Sequence, residues 1–198
     1  MIRPFHPSDL GAIYRICLLT GEAGGDASSM FRNPDLLGHV YAGPYPVADP
    51  EMSFVLADEE GVAGYIVATA DTAGFERWRE QAWWPILREQ YPLVENPQDG
   101  TEDHVLIGRI HETWPTDAPV LADFPAHLHI DLLPRAQGQG LGRALIETLA
   151  AALRARGVPG VHLGVSADNP GAIAFYHRVG FTVVEDVPWG HILGLPLA

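Results

Sequence analysis

The stretch Pro134–Leu145, PRAQGQGLGRAL, places glycine at every second position: Gly138, Gly140 and Gly142. Before it, AHLHIDLL (126–133) alternates apolar and polar residues, as a strand with one buried face does. After it, ALIETLAAALRARG (144–157) carries helical spacing, which predicts a helix over 141–156. A helix start leaves backbone N–H groups unpaired and bears the positive end of the helix dipole. Glycines let such a turn curl around an anion with no Cβ in the way. Two glycines alone would read as a tight strand-to-helix turn. Three at alternate positions favour a phosphate cradle.

The rest of the chain bounds what that cradle belongs to. Its 198 residues suit one domain with a family-specific excursion at about 73–125, and 47% of them are hydrophobic, enough for a substantial core. No apolar run reaches the ~20 residues of a membrane span, and no secretion signal opens the chain. Cys17 is the single cysteine, lies in the helical-looking IYRICLL, and is expected in the core; its solitude fits a reducing, cytoplasmic setting. The net charge is −13 and all 12 basic residues are arginine. Such a chain repels phosphate backbones, so nucleic acid is not an expected partner, and it attracts cationic small molecules. An anionic ligand must be held by local features.

Along the chain, IRPF reads as a strand, PSDLGAIYRICLLTG as a helix beginning near Ser8 or Asp9, and GEAGGDASSMFRNP as a loop. A short helix is expected around Leu36–Tyr41, then the turn-rich AGPYPVADP. SFVLADEEGVAGYIVATADT reads as a hairpin turning at Asp58–Gly61. Residues 73–92 have helical spacing with a break at Pro85. The segment 93–125 reads as irregular apart from one strand, HVLIGRIHE. Beyond it come strand 127–133, the helix over 141–156, strand VHLGVS, helix 170–179, strand FTVVEDV and a terminal ILGLPL. This alternation predicts an α/β fold with parallel pairing in the C-terminal half.

The phosphate ligand is narrowed by spacing. A dinucleotide fingerprint requires glycine where Arg143 stands, and a P-loop requires a lysine the chain lacks. The pattern present is Q-x-x-G-x-G, carried by Gln137, Gly140 and Gly142. It resembles the acetyl-CoA loop of the GNAT N-acetyltransferase superfamily. Asn169–Phe181, NPGAIAFYHRVGF, resembles that superfamily's N-x-x-A-x-x-F-Y-x-x-x-G-F signature at every named position. YRICLLTG, PDLLGHVYAGPY, EQAWWPILREQYP and HLHIDLLP further resemble bacterial relatives of the acetyltransferase-like C-terminal domain of protein O-GlcNAcase. Some domains in that neighbourhood have lost the loop that this chain retains.

The resemblance implies a GNAT fold, a mixed central sheet flanked by helices, and acetyl-CoA as co-substrate for transfer to an amine acceptor, small or peptidic. It implies pyrophosphate on the backbone amides of Gly138, Gly140, Leu141, Gly142 and Arg143, with Gln137 in the same loop. Leu132 and Leu133 would pair with the pantetheine amides, Asn169 and Ala172 would contact that arm, and Tyr176 would protonate the leaving thiolate.

The base that takes the amine's proton is less legible. His127, His129 and Asp131 share one face of their strand, opposite Leu128, Ile130 and Leu132. If the leucine face is core, the polar face lines an acceptor cleft, and Asp131 or His129 is the candidate base; hydrogen bonding to neighbouring strands is the plainer role. A metal held by His-x-His-x-Asp is not expected, for want of a fourth ligand. Trp78, Trp83, Trp84, Tyr41 and Tyr45 read most simply as core or cover, with an acceptor wall around Tyr41–Tyr45 and Trp83–Trp84, or a homodimer interface, as further readings. Two function classes follow: an acetyl-CoA-dependent N-acetyltransferase, or a non-catalytic acyl-CoA-binding module that kept the fold.

Overall fold

In the computed structural model, which describes residues 1–93, 100–112, 115–116 and 118–197, the glycine turn joins the middle strand of a seven-stranded sheet to its longest helix. The strands are β1 (Ile2–Pro4), β2 (Ser53–Asp58), β3 (Gly61–Thr69), β4 (Ala126–Leu132), β5 (Gly160–Ser166), β6 (Thr182–Val187) and β7 (Gly190–Pro196), ordered β1-β2-β3-β4-β5-β7-β6. The helices are α1 (Leu10–Leu19), α2 (Leu36–Tyr41), α3 (Pro44–Ala48), α4 (Thr72–Trp78), α5 (Trp84–Gln90), α6 (Asp103–His111), α7 (Ala118–Asp123), α8 (Leu141–Ala155) and α9 (Pro170–Arg178). Among the described residues no helix is long and apolar enough to cross a membrane.

Alternation along β3 divides the core into two layers. Tyr65 and Val67 face one side, with Ile13, Ile16 and Cys17 of α1, Leu36 and Leu37 of α2, and Leu106 and Ile110 of α6. Ala63, Ile66 and Ala68 face the other, against α8. There Leu145, Ile146, Leu149, Ala150 and Leu153 form one apolar stripe at helical spacing. Leu128 lies in this second layer, and Ile130 and Leu132 pack on it, so the leucine face of β4 is core as expected.

Three expectations are corrected. HVLIGRIHE is not a strand but part of α6: Leu106 and Ile110, one turn apart, are buried together, and that pairing outweighs the β-branched content of the segment. AGPYPVADP contains α3, because Pro44 and Pro46 both fall in the first turn, where no N–H is needed for a helical bond. Parallel pairing is confined to β4–β5. After β6 the chain reverses at Pro188–Trp189, and β7 slots between β5 and β6, antiparallel to both. The expected break near Pro85 is present as a π-helical segment, Arg79–Trp83, with α5 restarting so that Pro85 sits in its first turn. Of the segment read as irregular, residues 94–99, 113–114 and 117 lie outside the described residues.

Leu149, 1% exposed beneath the sheet, is an index of this core. Leu149→Ala should destabilise the protein by ~2–5 kcal/mol in denaturant titration; a loss below ~1 kcal/mol would mean that the α8–sheet layer packs loosely.

Candidate active site

β4 and β5 are paired only at Ala126↔Val161 and His127↔His162, and then part. The gap becomes a cavity of about 1120 Å³, bordered by Leu128–Leu132 on one strand and Leu163–Ser166 on the other. At one end lie Gln137, Gly138, Gly140, Gly142 and Arg143; along one side lie Asn169, Ala172, Phe175 and Tyr176 of α9. The far end is closed by the Gly21–Phe31 loop, Tyr41, and Glu102, Val105 and Leu106 at the start of α6.

The glycine turn holds its residues for two separate reasons. Gly138 and Gly140 have φ of +74° and +77°, and a Cβ on either would meet nothing within 4 Å, so their backbone is both left-handed and open. No side chain caps α8, whose first N–H groups are therefore available to an anion. Gly142 is helical, and a Cβ there would meet the Phe175 ring at 3.1 Å; its glycine lets α8 approach α9. Gln137 braces the loop, its Nε2 donating to the Leu132 carbonyl at 2.8 Å. Leu141 packs its side chain on the core, and Arg143 donates to the Arg178 carbonyl at 2.8 Å.

Leu133 departs from expectation. Its N–H donates to the Ala63 carbonyl, its own carbonyl accepts from Ala136, and its side chain is buried away from the cavity. With its N–H engaged across the sheet, Leu133 has no donor left for a pantetheine amide, and the carbonyl of Leu132 already accepts from Gln137.

Asn169 caps α9 as a helix-starting Asn does, Oδ1 accepting from the Ala172 N–H at 2.9 Å. That leaves Nδ2 as a donor on a residue that borders the cavity. Tyr176 packs against Phe175 and Phe181, and its hydroxyl has no hydrogen-bond partner among the described residues. Burial, and then the nearby Asp131, raises its pKa, so the phenol keeps its proton across the neutral range.

Asp131 and His129 both border the cavity, and their surroundings differ. Burial pushes the Asp131 carboxyl up to about 6, although the Tyr65 hydroxyl donates to Oδ2 and opposes the shift. His129 is pushed down to about 4, mainly by burial and further by the Arg79 guanidinium. Tyr65 was not foreseeable as a partner, being 66 residues away in sequence. Among the described residues no cluster of three or more His, Cys, Asp or Glu side chains is placed to hold a metal ion.

The aromatic residues divide. Tyr41 borders the cavity, whereas Tyr45 and Trp84 are buried in the first core layer and Trp78 and Trp83 pack on it. The acceptor wall proposed around Tyr45 and Trp83–Trp84 is therefore corrected: those rings support the site from behind, because stacking on Phe75 holds Tyr45 inside.

Residues 29–181 match the profile of the Acetyltransferase (GNAT) family. The solved structure of SsHAT superposes with a TM-score of 0.92 at 38% identity, covering 100% of this chain and 98% of that one. Protein O-GlcNAcase of Rattus norvegicus is 26% identical over 180 residues, 90% of this chain but 20% of its own, so the chain spans about a fifth of that relative. The [Ribosomal protein bS18]-alanine N-acetyltransferase of Escherichia coli is 45% identical over 62 residues, 31% of this chain and 42% of its own.

A buried carboxyl held above its unfolded range makes folding less favourable as pH rises from 3.8 to about 6. Asp131→Asn removes that proton linkage. Its melting temperature should exceed wild type by more at pH 7.5 than at pH 4.5, read by calorimetry; a pH-independent difference would contradict the raised pKa.

Proposed function

Because the chain belongs to the acetyltransferase (GNAT) family, we propose that it transfers the acetyl group of acetyl-CoA to an amine by direct attack. One observation carries the reading: a single cavity joins the open, uncapped glycine turn to an unpartnered tyrosine hydroxyl and to a buried carboxyl of raised pKa. The residues fit acetyl-CoA. Pyrophosphate suits the amides at Gly138–Arg143, and the parted edge of β4 up to Leu132 suits an extended amide-bearing arm, with Asn169 Nδ2 as a further donor.

When bound, the thioester supplies the acetyl group and a thiolate leaving group. Asp131 takes the proton that the attacking amine must lose, since a base with pKa near the working pH is the more effective one. His129, at about 4, is too weakly basic for that step and is kept neutral instead. Tyr176 donates its proton to the departing sulfur.

The cavity is bordered by both signs of charge, Arg143 and Arg178 on one hand and Glu102 and Asp131 on the other. Met30, Phe31, Tyr41, Val105 and Leu106 make the far wall apolar. These features favour a cationic amine with an apolar body. A panel of arylalkylamines, peptides with apolar N-terminal residues, polyamines, amino sugars and aminoglycosides, assayed by CoA release, tests this. Turnover above hydrolysis with an apolar-bodied amine is expected; tight acetyl-CoA binding with no turnover on any amine would instead establish a non-catalytic binding module.

Tyr176→Phe should lower kcat by ~10²-fold and leave acetyl-CoA affinity unchanged. Gly140→Asp, which strains a left-handed position and adds negative charge, should weaken acetyl-CoA binding by ~10-fold or more in calorimetry. kcat/KM should fall as pH drops through about 6, and Asp131→Asn should lose activity and that acid limb together. Retention of the limb in Asp131→Asn would assign the base elsewhere.

A further inference from the structure

Behind the cavity, four groups form one hydrogen-bonded line whose direction is set at its inner end. The Thr72 hydroxyl donates to the Pro125 carbonyl at 2.7 Å, an atom that can only accept. Its one proton used, Thr72 must accept at its other contact, His127 Nδ1 at 2.8 Å, so His127 carries its proton on Nδ1. Burial and the neighbouring His162 and His129 hold His127 well below its ordinary pKa, so the ring is neutral and Nε2 is a bare lone pair. The Tyr45 hydroxyl, 2.8 Å away, donates to it. Tyr45 must in turn accept from His129 Nε2 at 3.0 Å. His129 is also neutral near pH 7, which leaves its lone pair on Nδ1.

That nitrogen is neither bonded nor sealed. Among the described residues, His129 has no hydrogen bond beyond the one to Tyr45, and the buried side-chain nitrogen or oxygen without a partner is Arg79 Nε. Since His129 borders the cavity, Nδ1 presents its lone pair there. Arg79 lies over Phe75, which stacks on Tyr45, and its charge opposes protonation of either histidine.

We propose that Thr72, His127 and Tyr45 are positioning residues that hold His129 in its Nε2–H tautomer, so that Nδ1 accepts a hydrogen bond from an N–H of the acceptor amine. The inference rests on the amine-acetyltransferase reading and adds to it a specificity device. With Asp131 and His129 both presenting acceptors, the site selects, in the neutral form that attacks, a nitrogen that still bears two N–H donors, a primary amine, over secondary amines and alcohols.

Histidine-selective nitrogen NMR of the ligand-free protein, together with acceptor kinetics, tests the proposal. In wild type, His129 Nδ1 should resonate as an unprotonated nitrogen and His127 Nδ1 as a protonated one. Thr72→Val removes the acceptor that orients the line, so both histidines should populate the reversed tautomer, while Thr72→Ser should preserve the wild-type tautomers. Acceptor KM should rise about fivefold in Thr72→Val, with acetyl-CoA KM unchanged and wild-type values in Thr72→Ser. Tyr45→Phe, which breaks the line while keeping the ring stack, provides a second variant: its His129 should populate both tautomers and its acceptor KM should rise likewise. A wild-type His129 protonated on Nδ1 overturns the lock even if amines are acetylated. Tautomers that reverse with no change in acceptor KM overturn the recognition role. Absence of turnover with every amine would be a failure of the reaction itself, recognisable because the wild-type tautomers would still be as derived.

Discussion

Beyond His127, β4 has no strand beside it on the β5 side, and every feature of the site follows from that separation. Backbone N–H and C=O groups need partners, and a sheet that opens in its middle must find them outside the sheet. On the proposed function, an extended, amide-bearing arm would supply them as an added strand does. The same opening exposes the polar face of β4 at Asp131 and His129, and it lets the glycine turn at the end of β4 point its free amides into the same space. The gap is thus bordered both by the glycine turn, whose free amides suit negative charge, and by the carboxyls of Glu102 and Asp131.

The turn itself was legible because its chemistry is local. Left-handed backbone at Gly138 and Gly140 and an uncapped helix start are written in neighbouring residues. Gly142 shows where the local reading stops: its small size serves Phe175, 33 places on, and not the anion. That Asn169 and Tyr176 border one cavity was likewise readable from one motif, since a helix cap and a residue two turns further along face the same way. That the Leu133 N–H is already engaged was not readable, because it depends on the Ala63 carbonyl across the sheet.

What was not legible depends on long-range packing. The helix α6 contains enough β-branched residues to suggest a strand, and only its burial against α2 and α5 decides otherwise. The insertion of β7 between β5 and β6 is a matter of pairing that no periodicity encodes. The alternation of β4 placed His129 and Asp131 on one face but could not rank them as bases. The ranking comes chiefly from burial by elements distant in sequence, which pushes Asp131 up to about 6 and His129, with the Arg79 charge adding to it, down to about 4. The aromatic residues that looked like an acceptor wall are mostly the support of this arrangement.

On the proposed function, one gap between two strands binds the acyl donor and places it against Asp131 and Tyr176. A crystal structure of the protein with acetyl-CoA tests it most directly. The account predicts pyrophosphate on the amides of Gly138–Arg143, the pantetheine arm along β4 short of Leu133, and the sulfur within hydrogen-bond reach of the Tyr176 hydroxyl, with an open pocket leading from the thioester to Asp131. Pyrophosphate bound away from the glycine turn, or a thioester remote from both Tyr176 and Asp131, would contradict it.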